Sequence, residues 1–179
     1  MLQVFGFNQI GVVIGDLYFV DPRPDPGQEG AERGVRLEVR FIEAQPSDGS
    51  IYAARPILIG PPVWRADLLE SVDGEVGSHD RTHHHPRMRG WEPGSRQFDP
   101  KMSADPLRFV GDQLADLDAL LAGAGIDPST VDGRDSTQLR QAAPQIVASV
   151  RGLLDAVAEG QLAEPPEDLT AEVIRTGWL

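Results

Sequence analysis

The sequence predicts an α+β fold in which a curved antiparallel sheet, built by the N-terminal half, is covered by C-terminal helices. Two patterns predict it. From Leu2 to about Ala66, short runs rich in Val, Ile, Phe and Tyr alternate with Gly, Pro, Asp and Ser, the signature of strands and turns. After residue 100 the apolar residues recur every three or four positions, the period of an amphipathic helix. Strands first and helices afterwards give packed layers rather than alternating βαβ units. The length of 179 residues, with 40% hydrophobic against 25% charged, suits a single domain over 1–179, β-rich over 1–100 and helical over 103–179. A core of that size needs no disulfide or metal staple.

Taken in order, strands are expected near Gln3 to Phe7, Gly11 to Val20, Gly34 to Glu43, Ser50 to Ile59 and Val63 to Ser71. The clearest is Val35 to Phe41, where apolar and charged residues alternate, so that one face meets the core and the other meets water. Asp21 to Gly27 holds three prolines, which lack the ladder donor, and so reads as an exposed loop. Leu107, Val110, Leu114, Leu117 and Leu121 form one helical stripe, which predicts a helix over 105–122. Ser103 or Asp105 can cap its start, Pro106 fits its first turn, and Gly123 and Gly125 can end it. A second helix is expected from about Ser136 to Glu159, with Ile146, Val150, Leu153 and Val157 inward, and Pro144 should kink it or mark its true start. A short helix from Leu169 to Thr176 closes the chain.

Composition removes several function classes. Without cysteine there is no disulfide scaffold, thiolate nucleophile or Cys-ligated metal, so any metal must be held by nitrogen and oxygen. A net charge of −12 has the wrong sign for non-specific binding of duplex nucleic acid. There is no basic leader before an apolar core and no run of about 18 apolar residues, so a cytoplasmic protein without membrane association is expected. The positive charge is nearly all arginine, with Lys101 the only lysine, and Arg81, Arg87, Arg89 and Arg96 make a local patch able to accept an anion. No Walker loop, dinucleotide fingerprint or Gly-x-Ser-x-Gly elbow is present. Adjacent Ser78, His79 and Asp80 cannot take up triad geometry.

All four histidines lie within the segment 77–94, as His79, His83, His84 and His85. In an extended segment His79, His83 and His85 share a face, because their separations are even, and His84 points the other way. In a helix His79 and His83 would form an i, i+4 pair. Either way at least two imidazoles converge, and imidazole is the commonest side-chain ligand for divalent transition ions. A carboxylate normally joins such a set. Asp80 and Glu92 are candidates, as are Asp67, Glu70 and Asp73 just upstream, and Asp67 and Glu70 cannot share a strand face. A solvated polar loop and a metal-free catalytic histidine are the competing readings. Trp64 and Trp91 flank the cluster and read as core residues in preference to pocket walls.

Three resemblances attach to these residues. Gly77 followed by His83-His84-His85 and then Glu92 is similar to part of a cupin motif, although Glu92 comes too late after the histidines and no second histidine motif follows. Asp80, Arg81, His83, His84, His85 and Pro86 loosely resemble the clustered His-His-Pro of RNA-targeting toxins from small toxin/antitoxin modules. Gly15 to Pro22, Pro62 to Glu70 and the stretch from the histidines through Gly94 resemble an actinobacterial family that brings no activity with it.

The resulting expectation is a metal-dependent enzyme, hydrolytic or oxidative, whose cofactor is a divalent Zn, Fe, Ni, Mn or Cu ion. Its ligands are His79, His83 and His85, Glu92 or Asp80 serves as general base or further ligand, and Arg81 and Arg87 hold an anionic substrate. The alternative is an acidic, metal-free binding protein of the immunity or antitoxin kind. The partner expected is an unidentified small molecule or protein, or a second copy of the chain in a homo-oligomer.

Overall fold

The computed structural model describes residues 1–165 and 174–177. Its architecture is α+β. Strands β1 (Leu2–Gly6), β2 (Ile10–Val20), β3 (Ala31–Ala44), β4 (Ile57–Ser71) and β5 (His83–His85) form an antiparallel sheet in the order β1-β2-β3-β4-β5. A two-stranded ladder of β6 (Met88–Arg89) and β7 (Glu92–Pro93) follows. Helices α1 (Pro100–Ala104), α2 (Pro106–Ala115), α3 (Leu117–Ala124) and α4 (Gly133–Ala158) come next, and β8 (Ile174–Gly177) returns to the β2 edge beside β1.

The helices cover one face of the sheet. Ile10, Val12, Ile14, Val35, Leu37, Val39, Trp64, Ala66 and Leu68 alternate along β2, β3 and β4 and pack with Val110, Leu114, Leu121, Ile146, Val150 and Leu153 in one cluster. The stripe that sequence periodicity picks out is therefore the buried one. It belongs to two helices rather than one, because Asp116 ends α2 and its carboxylate accepts from the Ala119 amide to cap α3. α4 starts at Gly133 under an Asp132 cap and runs through Pro144, so that proline does not mark its beginning. Asp135, wholly buried, accepts from the amides of Asn8 and Gln9 at 2.9 and 2.7 Å and ties the helix start to the β1–β2 turn.

Two strand expectations change. Residues 51–53 form a turn and β4 begins only at Ile57, because Ser50 to Pro56 has no alternating apolar face to bury. The short helix expected from Leu169 to Thr176 is a strand over its described part, Ile174–Thr176, and otherwise lies outside the described residues. Gly34 is required where it stands, since its φ is +153° and a Cβ there would lie 2.1 Å from the Leu68 carbonyl oxygen. Among the described residues no helix is long and apolar enough to cross a membrane.

The sheet's second face decides the chemistry. The charged residues between Val35 and Phe41 were expected to meet water, yet Arg36 and Glu38 are buried, as is Glu32 at the start of β3. The segments 21–30 and 94–98 reach over that face: Arg81 donates to the carbonyls of Gly27 and Glu29, Arg96 pairs with Asp21 at 3.4 Å, and Phe98 packs on His83. Charge is tolerated there because most of it is paired.

Candidate metal centre

β5 reaches the site through its pairing with β4, which sets Asp67 opposite His83 and Arg65 opposite His85. Thr82 fixes that register: its hydroxyl, fully buried, donates to the Leu69 carbonyl and accepts from the Leu69 amide, both at 3.1 Å. Strand alternation then turns His83 and His85 to the second face and His84 to the helix face. His84 lies 5.2 Å from the Phe109 ring and 6.1 Å from Trp64.

Asp67, His83 and His85, each 2% exposed or less, offer one ligand atom apiece within 4.8 Å of one another. The imidazoles approach Asp67 Oδ2 through Nε2 at 3.4 and 3.5 Å. Their other nitrogens are committed, with His83 Nδ1 2.8 Å from the Arg81 carbonyl and His85 Nδ1 2.9 Å from that of Gly94. A carbonyl only accepts, so Nδ1 carries the hydrogen in both rings, and in the neutral form of each ring Nε2 presents a lone pair. Two lone pairs and a carboxylate oxygen thus converge, and Arg65, whose Nη2 lies 3.0 Å from His85 Nε2, donates to one of them, so an ion bound there would displace that contact. Backbone carbonyls orienting metal-ligand imidazoles in this way are the usual outer shell of a metal site.

Two arginines supply the positive charge around the group. Arg36 Nε donates to Asp67 Oδ1 at 2.6 Å, and Arg65 Nε lies 3.0 Å from Oδ2 while its Nη2 is 3.0 Å from His85 Nε2. Burial by itself would raise the Asp67 pKa. Arg36 and Arg65 offset that and hold the carboxyl well below its ordinary range. Burial lowers the pKa of His85 against the pull of Asp67, and favours the neutral, ligating ring.

The structure brings His83 and His85 together with Asp67, one of the candidate carboxylates, and places His79, Asp80, Glu92, Arg81 and Arg87 in other roles. His79 sits in a left-handed turn, φ 52°, and lines a cavity of about 180 Å³ on the helix side with Arg33, Glu70 and Arg151. Asp80 accepts from the Ser71 amide and the Ser78 hydroxyl, both at 2.9 Å, and so closes a loop. Glu92 is exposed on β7, opposite Arg89. Arg81 serves through its carbonyl on His83, and Arg87, exposed, donates to the Gly123 carbonyl at 3.2 Å. Of the tryptophans Trp64 is core, whereas Trp91 is 63% exposed, with the Arg40 guanidinium 5.3 Å from its ring. Arg36 and Arg65 carried no distinguishing signal in the sequence, since each sits in an ordinary alternating strand.

Comparison of the chain with protein-family profiles, curated proteins and solved structures gives no match. The reading of the site therefore rests on its geometry.

Proposed function

We propose that Asp67, His83 and His85 bind one divalent transition ion and that the chain is a metal-dependent enzyme acting on an anionic substrate. What supports this reading is the convergence of two fixed Nε2 lone pairs on a buried carboxylate oxygen. Three protein ligands leave coordination positions for water or substrate, as catalytic ions require. The ion decides the reaction: zinc would lower the pKa of a bound water toward about 7 for hydrolysis, and iron or copper would support oxidation. Phe98 lies against His83 and is itself half exposed, so the centre is one side chain below the surface. Arg36 and Arg65 place positive charge beside the ion, where a substrate anion would be stabilised.

Equilibrium dialysis of tag-free protein against Zn, Fe, Ni, Mn and Cu tests the reading. About one equivalent of one ion should be retained, and the loaded protein should turn over members of a panel of phosphate and carboxylate esters, or consume oxygen, that the stripped protein does not. Retention of no ion would end the metal reading. Retention without any turnover would confine the function to metal binding.

A further inference from the structure

His79 has no part in the metal centre, and the cavity it lines lies on the opposite side of the sheet. Arg33 stands opposite Glu70 in the β3–β4 register, and by strand alternation the two continue the buried rows Val35-Leu37-Val39 and Ala66-Leu68 that face the helices. Their charges are mutually satisfied: Arg33 Nε donates to Glu70 Oε1 at 3.1 Å, and Glu70 Oε2 accepts from the Gly77 amide at 2.5 Å. That bond, with the one from the Thr82 amide to the His79 carbonyl at 3.0 Å, fixes the loop and holds His79 at its left-handed φ. Such a conformation costs a residue with a Cβ some energy and persists only where its surroundings impose it. The wall that His79 contributes is therefore built in advance of any ligand.

The rest of the lining combines an apolar wall with unpaired charge. Leu68, Leu107, Leu154 and Val157 supply the apolar part. The side chains of His79, Arg151 and Asp155 have no hydrogen-bond or ion-pair partner among the described residues. Arg151 and Asp155, both exposed, lie four residues apart on α4, so a positive and a negative group stand one turn from each other at the rim. The last turn of α4 carries no basic side chain, and the carbonyl end of a helix favours a cation. The Asp155 end of the cavity thus suits an ammonium and the Arg151 end a carboxylate. At about 180 Å³ the space is little larger than the roughly 150 Å³ that holds a benzene molecule, and well under the roughly 300 Å³ at which drug-sized sites begin. We infer that this cavity is a second ligand site, taking a small zwitterion of the α-amino-acid class, with its carboxylate on Arg151, its ammonium on Asp155 and an apolar side chain against Leu68, Leu107 and Leu154. The site is separate from the metal centre and stands whether or not an ion binds there.

Calorimetric titration of the full chain tests this with L-leucine as probe, beside 4-methylpentanoate, which lacks its ammonium, and 3-methylbutylamine, which lacks its carboxylate. Leucine should bind at least about tenfold more tightly than either fragment, because each charge-assisted contact is worth roughly that factor or more. Arg151→Gln should weaken leucine binding about tenfold and leave 3-methylbutylamine unchanged, whereas Asp155→Asn should weaken leucine and leave 4-methylpentanoate unchanged. Both residues are exposed, so the variants should melt like the native protein when no ligand is present. Ala158→Trp, which fills the cavity from its rim, should abolish binding of all three compounds. No heat and no rise in melting temperature with leucine at up to about 10 mM would overturn the site. Leucine affinity unchanged in both charge variants, or 4-methylpentanoate bound as tightly as leucine, would overturn its assignment to a zwitterion.

Discussion

Replacing Asp67 by Asn removes the negative charge that pairs with both Arg36 and Arg65 while keeping nearly the same shape. In the native protein that carboxylate takes Arg36 Nε at 2.6 Å and Arg65 Nε at 3.0 Å, and the two guanidinium side chains are only 7% and 11% exposed. Each close pair is worth about 4 kcal/mol of attraction at an effective dielectric near 20, much of it spent against desolvation. Removing one partner of a buried pair leaves the other charge uncompensated, at a cost of about 3 to 5 kcal/mol. With a urea slope near 2 kcal/mol/M, the denaturation midpoint should fall by about 1.5 to 2.5 M. A cycle that adds Arg36→Met should show coupling above about 1 kcal/mol. A loss below about 1 kcal/mol, or no coupling, would refute the view that Asp67 anchors this charge network.

Other consequences follow from single contacts. Leu114→Ala, at a wholly buried position, should cost about 3 to 5 kcal/mol and lower the melting temperature by about 6 to 20 °C; an unchanged melting curve would remove α2 from the core. Burial lowers the His84 pKa, so the unfolded chain takes up the proton more readily, and the stability present above about pH 6.5 is lost as pH falls toward the folded value. His84→Phe, which also removes a buried Nδ1 that has no partner among the described residues, should narrow the gap between melting temperatures at pH 7 and pH 5, and an equal gap in both proteins would contradict the assignment. Arg65 donates to His85 Nε2 and repels an incoming dication, so Arg65→Gln should raise zinc affinity at least about tenfold, and a weaker zinc complex in chelator competition would show that Arg65 supports the ion instead.

Much of this architecture was legible in the chain. The alternation Val35 to Phe41 marked a strand, the Leu107 to Leu121 stripe marked the face that packs on the sheet, and the even spacing of His83 and His85 put both rings on one side. The carboxylate was harder to read. Asp67 was one of five upstream or neighbouring acids, and what selects it is the β4–β5 register that sets it opposite His83, a long-range pairing that no local pattern encodes. His79 looked equivalent to the other two by parity, but the chain turns left-handed at that residue and the strand begins only at His83. Arg36 and Glu38 read as a water-facing row because alternation tells which residues share a face and not what covers it. The covering segments 21–30 and 94–98 are irregular loops whose placement depends on contacts such as Arg96 with Asp21.

The claim that the two imidazoles are metal ligands is tested most directly by elemental analysis and thermal melting of the native protein and a His83→Ala, His85→Ala double variant, each purified without an affinity tag. Both are measured with chelator and with zinc, iron, nickel, manganese or copper at about 100 times the dissociation constant. Native protein should carry one ion and gain about 2.7 kcal/mol of stability at that excess, while the double variant folds but neither retains metal nor responds to it. Native protein that holds no ion and melts at the same temperature under every condition would contradict the account, and the acidic binding protein would take its place.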